Sequence, residues 1–507
     1  MTGIPVKKII INSDQWQTRV AITEDGELKN IYFEPHSQEL LERSFFKGVV
    51  SKVLPGIQTA FVDIGKERAG FLHISEIDRE MALEKISKHA QLEDDEKPQP
   101  KPSSYQKPDI AKIIKEGEAI LVQVSKEPVY EKGPKLTTCF TLPGRFLVLM
   151  PNIARIGISK KIEDRDERIR LKELIKEHLP EGMGTIIRTS AQSAGAKELL
   201  KDLAFLVKTW REIEQKYTAA EPEEKIYQDL DLVLQIVRDH LDESVEMVVV
   251  DNQQVQSSIY KFIRIIAPEF SHIIKLYAEP NNVFDYYKIE TQIQAALERK
   301  VALKSGGSLI IETTEAMTVI DVNTGKFIGK SNLEDTILKT NLEAAEEVGR
   351  QLRLRNIGGL IVIDFIDMGI NANRQTLFKK FEKLLKERDK FQSVVLKISE
   401  FGLVQMTRKR SGKTLMQQLM HSCPTCHTLG FIKSIQTRSY ELLRQLKTEL
   451  GSTPDKHITV HLHSDLFNYI GTVEYDAVLS LEKTFKGKIT LATDANMAIG
   501  SYRISKI

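Results

Sequence analysis

Cysteine is nearly absent. Three in 507 residues exclude a disulfide framework. Long hydrophobic runs are missing too. No segment approaches the ~20 apolar residues of a membrane helix. The opening MTGIPVKKIIINSDQWQ lacks the apolar stretch and cleavage site of a secretory signal, so a cytoplasmic protein is expected. Nor is there an excess of one charge: 72 Lys and Arg stand against 70 Asp and Glu. Any nucleic-acid surface must therefore be a local basic patch. G-x-S-x-G and P-loop motifs do not occur, which argues against a serine hydrolase or a nucleoside triphosphatase. Repeats of solenoid period are also lacking.

What remains is an ordinary mix, 41% hydrophobic and 28% charged, in a chain too long for a single core. KKIIINSDQWQTRVAITEDGELKNIYFE alternates apolar and polar residues around Glu-Asp-Gly, a hairpin signal. From Phe45, short strands punctuated by glycine predict a small barrel. Residues 91–109, QLEDDEKPQPKPSSYQKPD, are charged and proline-rich and are expected to form a mobile loop. Strand texture returns with GEAILVQVSKEPVY. Helical periodicity follows in KELIKEHLPEG and AKELLKDLAFLVKTWREIEQKY, with the GTIIRTS strand between them. The last stretch of about 80 residues reads as a small appended α/β domain.

Two apolar, β-branched runs stop at a carboxylate: AMTVIDVNTGKF at Asp321 and GGLIVIDFIDM at Asp364. Such runs read as buried strands. The helix NLEAAEEVGRQLRLRN between them makes the strands plausible parallel neighbours. Open α/β sheets place ligand sites at the carboxyl ends of their strands. Two carboxylates meeting there suit Mg²⁺, although a strand-terminal Asp more often only caps a turn. Asn323, two residues after Asp321, can point the same way and hydrogen-bond a phosphate oxygen.

In the barrel, Phe61 and Phe71 lie near Lys47, Lys52, Lys66 and Arg68. Exposed rings would stack bases while cations hold phosphates, but either ring could equally fill the interior. Arg188 and Thr189 end a strand before a Gly-containing loop. That is a possible receptor for a terminal phosphate, or a surface arginine beside a helix cap. Cys423 and Cys426 form a CxxC, half of a tetrahedral zinc site. No second CxxC exists, so a four-thiolate site needs two chains. A site completed by His421 or His427 and a redox disulfide are the alternatives, and Cys139 reads as a small buried hydrophobe.

EPNNVFDYYKIETQIQAAL, the stretch from LKSGGSLIIETTEAMTVIDVNTG to RQLRLRNIGGLIVIDFIDM, and CPTC resemble the ribonuclease E/G family of bacterial endoribonucleases. In length the chain is more similar to the shorter, G-type members. The resemblance implies an α+β multidomain fold. It comprises a ribonuclease-H-like domain (1–37 and 234–297), an interrupting OB-fold RNA-binding barrel (38–143) and a 5′-sensor region (144–233). A DNase-I-like catalytic domain (298–418), a zinc link (419–432) and a small C-terminal domain (433–507) follow. It implies internal cleavage of single-stranded, A/U-rich RNA with a preference for 5′-monophosphate ends. Its substrates would be ribosomal RNA precursors and messenger RNA under decay. By residue, it makes Asp321 and Asp364 the Mg²⁺ ligands and Asn323 the amide beside the scissile phosphate. Arg188 and Thr189 become the 5′-phosphate sensor, and Phe61, Phe71 and Lys132 the RNA-holding positions of the barrel. Cys423 and Cys426 become thiolates of a Zn²⁺ shared within a homo-oligomer. Two departures stand out: the long 91–109 loop, and Tyr286 where many members carry Arg.

Overall fold

The computed structural model describes residues 6–37, 39–78, 109–128, 133–192, 194–324, 333–389, 391–399, 401–410, 412–426, 430–452, 457–494 and 496–506. Lys132, His427 and all of the 91–109 loop except Asp109 lie outside them. Asp109 itself caps the short helix Ile110–Ile113, its carboxylate accepting from the Ala111 N–H. The chain divides into two units, residues 1–415 and 416–507. The protein is a mixed α/β molecule with a small β-barrel.

The first unit opens on three antiparallel strands, Lys7–Ser13, Gln17–Glu24 and Glu27–Pro35. The hairpin turns on Asp25 and Gly26, both at positive φ, as a tight two-residue hairpin requires. Val245–Val250 joins the opposite side of Lys7–Ser13 in parallel, and Ile274–Leu276 adds an outer strand. Chain segments more than 200 residues apart thus share one five-stranded sheet.

The barrel is closed by Phe45–Leu54, which pairs with Thr59–Asp63 on one side and Ala119–Lys126 on the other. Alternation along Phe45–Leu54 sends Phe46 into the barrel core and Phe45 into the neighbouring core around Trp210 and Leu147. Gly70 is required by close approach rather than by a turn, since a Cβ there would meet Leu136 Cδ1 at 2.6 Å. Two strands cross the boundaries expected above. Leu142–Pro143 pairs into a separate four-stranded sheet, and Lys225–Tyr227 pairs back onto the barrel at Phe45 and Phe46.

The third region of this unit is a six-stranded mixed sheet whose central pair is Met317–Asn323 and Gly359–Asp364. Helices Leu333–Leu354 and Asn371–Arg388 supply Leu352, Leu377 and Phe381 to the core on one face, against Ile320, Val322, Ile361 and Ile363. The sheet is not covered alike on both faces, as the apolar runs suggested. Leu360 is 41% exposed and Val394 56%.

The second unit packs the helix Ile435–Ser452 and two shorter helices around a three-stranded sheet, with Leu442, Leu446, Val460 and Leu466 at its centre.

Candidate catalytic and RNA-binding sites

Asp321 and Asp364 are register partners on adjacent parallel strands, where chains run about 4.8 Å apart. Alternation decides their direction. Ile320, Val322 and Ile363 face the helices, so both carboxylates rise from the open face. Among the described residues neither is ion-paired. Burial, then the charges of Asp321 and Asp367, pushes the Asp364 carboxyl above the ordinary range. Asn323 lies on the same face, and its Nδ2 donates to Asp321 Oδ2 at 2.8 Å. Like charges held together without a counter-cation form a donor set that a hard divalent ion would relieve. The residues fit Mg²⁺ in that sense. No cluster of three or more His, Cys, Asp or Glu occurs among the described residues, so the two carboxylates would share the ion with water or substrate oxygens.

Sequence reasoning missed what fixes the Asp364 end. Asn341 on the crossover helix is fully buried; its Nδ2 donates to the Ile366 carbonyl at 2.8 Å and its Oδ1 accepts from the Ile366 N–H at 3.0 Å. The sequence carried no clear signal for it, since Thr336, Thr340 and Gln351 of the same helix are also buried and polar.

On the barrel, Phe61 and Phe71 are directly opposite on neighbouring strands and belong to no core cluster. Their flanking residues Ala60, Val62 and Leu72 fill the interior, so the reading that the rings fill it is set aside. The pairing places Lys52 beside Phe61, Lys135 beside Phe71 and Lys126 beside Lys135, a row of two rings bounded by cations. The Lys135 ammonium donates to Glu76. Lys126 and Lys135 were not singled out above.

Arg188 precedes a 3-10 turn that starts at Thr189. Its Nη1 donates to Gly144 O at 2.6 Å and Asp239 Oδ1 at 2.8 Å. Burial alone would raise the Asp239 carboxyl, but the Arg238 and Arg188 guanidiniums outweigh it and hold it far below the usual range. Thr189 Oγ1 shares a 2.9 Å hydrogen bond with Ser159 Oγ. Asp202, deeply buried, accepts from the N–H groups of Arg145, Phe146 and Leu147 and so anchors the hairpin that carries Gly144. A Cβ on Gly144 would come within 2.6 Å of that carboxylate.

In the second unit, Cys423 and Cys426 flank a turn in a segment ahead of the helix Ile435–Ser452. Backbone N–H groups of Cys426 and Thr425 lower the Cys423 thiol pKa. Two sulfurs two residues apart around one turn fit half of a zinc site. The pair does not sit between a strand and the helix it would open in a redox unit. Cys139 is half-buried, and burial raises its thiol. Tyr286 is 60% exposed and meets Tyr277 and Tyr287 edge-on.

A carboxylate pair on an open sheet face and, on the barrel, two neighbouring rings bounded by lysines are the arrangements the structure sets out. Residues 141–411 match the model of the ribonuclease E/G family. Residues 422–507 match that of the RNase E/G thioredoxin-like domain. The chain is 39% identical to ribonuclease G of Escherichia coli (strain K12) over 439 residues, 87% of each chain. It is 37% identical to ribonuclease G of Haemophilus influenzae over 481 residues, 95% of each. With ribonuclease E of the same organism it shares 34% over 508 residues, 99% of this chain and 52% of that protein. The chain belongs to the ribonuclease E/G family.

Proposed function

We propose that this endoribonuclease hydrolyses single-stranded RNA internally with Mg²⁺ held by Asp321 and Asp364. It leaves 5′-phosphate and 3′-hydroxyl ends. The observation that carries the reading is the register pairing of two carboxylates on an open sheet face with no ion-pair partner among the described residues. When bound, Mg²⁺ supplies Lewis acidity toward a phosphodiester oxygen and lowers the pKa of water. Asn323, already oriented by Asp321, donates to the phosphate and fixes its direction. Phe61 and Phe71 stack bases, each stack contributing about 1–3 kcal/mol, while Lys52, Lys126, Lys132 and Lys135 hold phosphates.

Arg188 and Thr189 receive a 5′-monophosphate, which the turn's hydroxyl and guanidinium suit. A/U-rich segments of ribosomal RNA precursors and messenger RNA are the substrates, and the cytoplasm is the place of action. In this reading the split five-stranded sheet is ribonuclease-H-like, the barrel an OB fold and the six-stranded sheet DNase-I-like, with the limits given above shifted to leave Leu142–Pro143 with the four-stranded sheet and Lys225–Tyr227 with the barrel. No helix of the described residues is long and apolar enough to cross a membrane.

Incubating the protein with a 5′-monophosphate oligoribonucleotide in Mg²⁺ and in EDTA tests the catalytic reading. Cutting only with Mg²⁺ supports it. Binding in both conditions and cutting in neither identifies an RNA-holding scaffold and defeats it.

Cys423 and Cys426 supply two thiolates to a Zn²⁺ completed by a second copy of the chain. Metal analysis should then give about half an equivalent of zinc per chain, associated with the oligomer. A full equivalent in a monomer would sink that pairing.

A further inference from the structure

The turn at Ser159–Lys161 reaches both the candidate phosphate receptor and the catalytic region. Ser159 Oγ hydrogen-bonds Thr189 Oγ1 at 2.9 Å and accepts from the Lys161 N–H at 3.3 Å. The turn is braced. Its Ser159 N–H donates to Ile187 O at 2.9 Å, and Arg168 Nη1 donates to the carbonyls of Ser159 and Ile162 at 2.8 and 3.0 Å. From this turn the Lys161 ammonium reaches across to donate to the backbone carbonyl of Asp389, 228 residues away. Asp389 is the C-cap of the helix Asn371–Arg388, where a cation also meets the negative end of the helix dipole. Among the described residues Lys161 has no carboxylate partner.

The path continues inward. The Asp389 carboxylate holds Arg408 through Nε at 2.6 Å and Nη2 at 3.0 Å, both side chains almost fully buried. Arg408 Nη1 also donates to Ile357 O at 2.5 Å. Arg408 ends the strand Leu403–Arg408 and lies opposite Gly359, where the strand Gly359–Asp364 begins; Leu403, at the other end, lies opposite Asp364. A fork-like charged pair of this burial transmits displacement instead of absorbing it.

We propose that Lys161 is a positioning residue that couples occupancy of the Arg188/Thr189 receptor to the Asp364 strand; this rests on the reading that the receptor binds a 5′-phosphate. A hydroxyl has one proton to donate. A phosphate that engages the Thr189 hydroxyl bears on the Ser159–Thr189 hydrogen bond and so on the turn from which Lys161 reaches the helix Asn371–Arg388. The ligand therefore has a differential interaction with two arrangements of one element, which is what a population shift requires.

The test compares wild type, Lys161→Met, Lys161→Arg, Arg188→Ala and the Lys161→Met/Arg188→Ala double variant. Each cleaves one oligoribonucleotide sequence bearing either a 5′-monophosphate or a 5′-hydroxyl, under single-turnover conditions. Lys161→Met should lower the monophosphate-to-hydroxyl rate ratio by about fivefold or more, to the Arg188→Ala level. Its 5′-hydroxyl rate should stay within about twofold of wild type. The double variant should fall no further than either single one, and Lys161→Arg should keep the preference. An unchanged ratio in Lys161→Met overturns the coupling. So does an equal loss on both substrates, which would make Lys161 an RNA contact or a purely structural residue. A wild-type ratio of one defeats the 5′-phosphate reading itself, and the coupling with it.

Discussion

The carboxylate pair and Arg188, the proposed phosphate receptor, solve opposite electrostatic problems in opposite ways. Asp321 and Asp364 stand next to each other with no ion-pair partner among the described residues, so their repulsion is left for an incoming cation to relieve. Arg188 is already committed to Asp239 and to the Gly144 carbonyl before any anion arrives. An unrelieved site gains much from its ligand and fails without it. A site that is pre-neutralised gains less, and the difference between occupied and empty becomes a modest, tunable preference. The contrast teaches that the first site is built for chemistry and the second for discrimination.

Removing one side of the contrast should have the largest effect. Asp364→Asn keeps the shape, abolishes half of the cation's donors and should lower the cleavage rate by about 10³-fold or more. RNA retention in a filter assay should hardly change. Near-normal turnover in that variant would break the comparison outright. The same substitution removes like-charge repulsion, so chemical denaturation should show equal or higher stability.

A smaller effect sharpens the other side. Asp239→Asn takes the counter-charge from Arg188 and should tighten half-saturation by a 5′-monophosphate oligoribonucleotide by about threefold, with little change for a 5′-hydroxyl one. Weaker binding of the monophosphate form would show that Asp239 aims the guanidinium instead of moderating it. Its stability cost should be about 2 kcal/mol at pH 7. The Asp239 carboxyl is held below its unfolded value. Its contribution is therefore complete above about pH 4 and disappears as pH falls toward the depressed native value. Denaturation curves of wild type and Asp239→Asn should accordingly converge only in strong acid. A gap that widens in acid would contradict the ion pairing.

Some of this was legible in the residues. The β-branched runs ending at Asp321 and Asp364, joined by one helical pattern, led to the correct pairing because strand, crossover and strand are all local signals. Their one-sided burial was not legible. Leu360 and Val362 on the open face are as apolar as Ile361 and Ile363 on the closed one, and only the covering helices tell them apart. Phe61 and Phe71 could be assigned to strands, but inside and outside separate only once Phe45–Leu54 closes the barrel. Lys161, Asp202, Asp239 and Asn341 act on partners 25 to 228 residues away. Nothing in their neighbours in sequence announces those contacts.

One buried amide carries a mechanical implication. Asn341 grips Ile366 by both its carbonyl and its N–H, two residues beyond Asp364. The segment leaving the acid is thereby a passenger of the crossover helix. Any tilt of that helix is delivered directly to the carboxylate, and any drift of the carboxylate must drag about six helical turns with it.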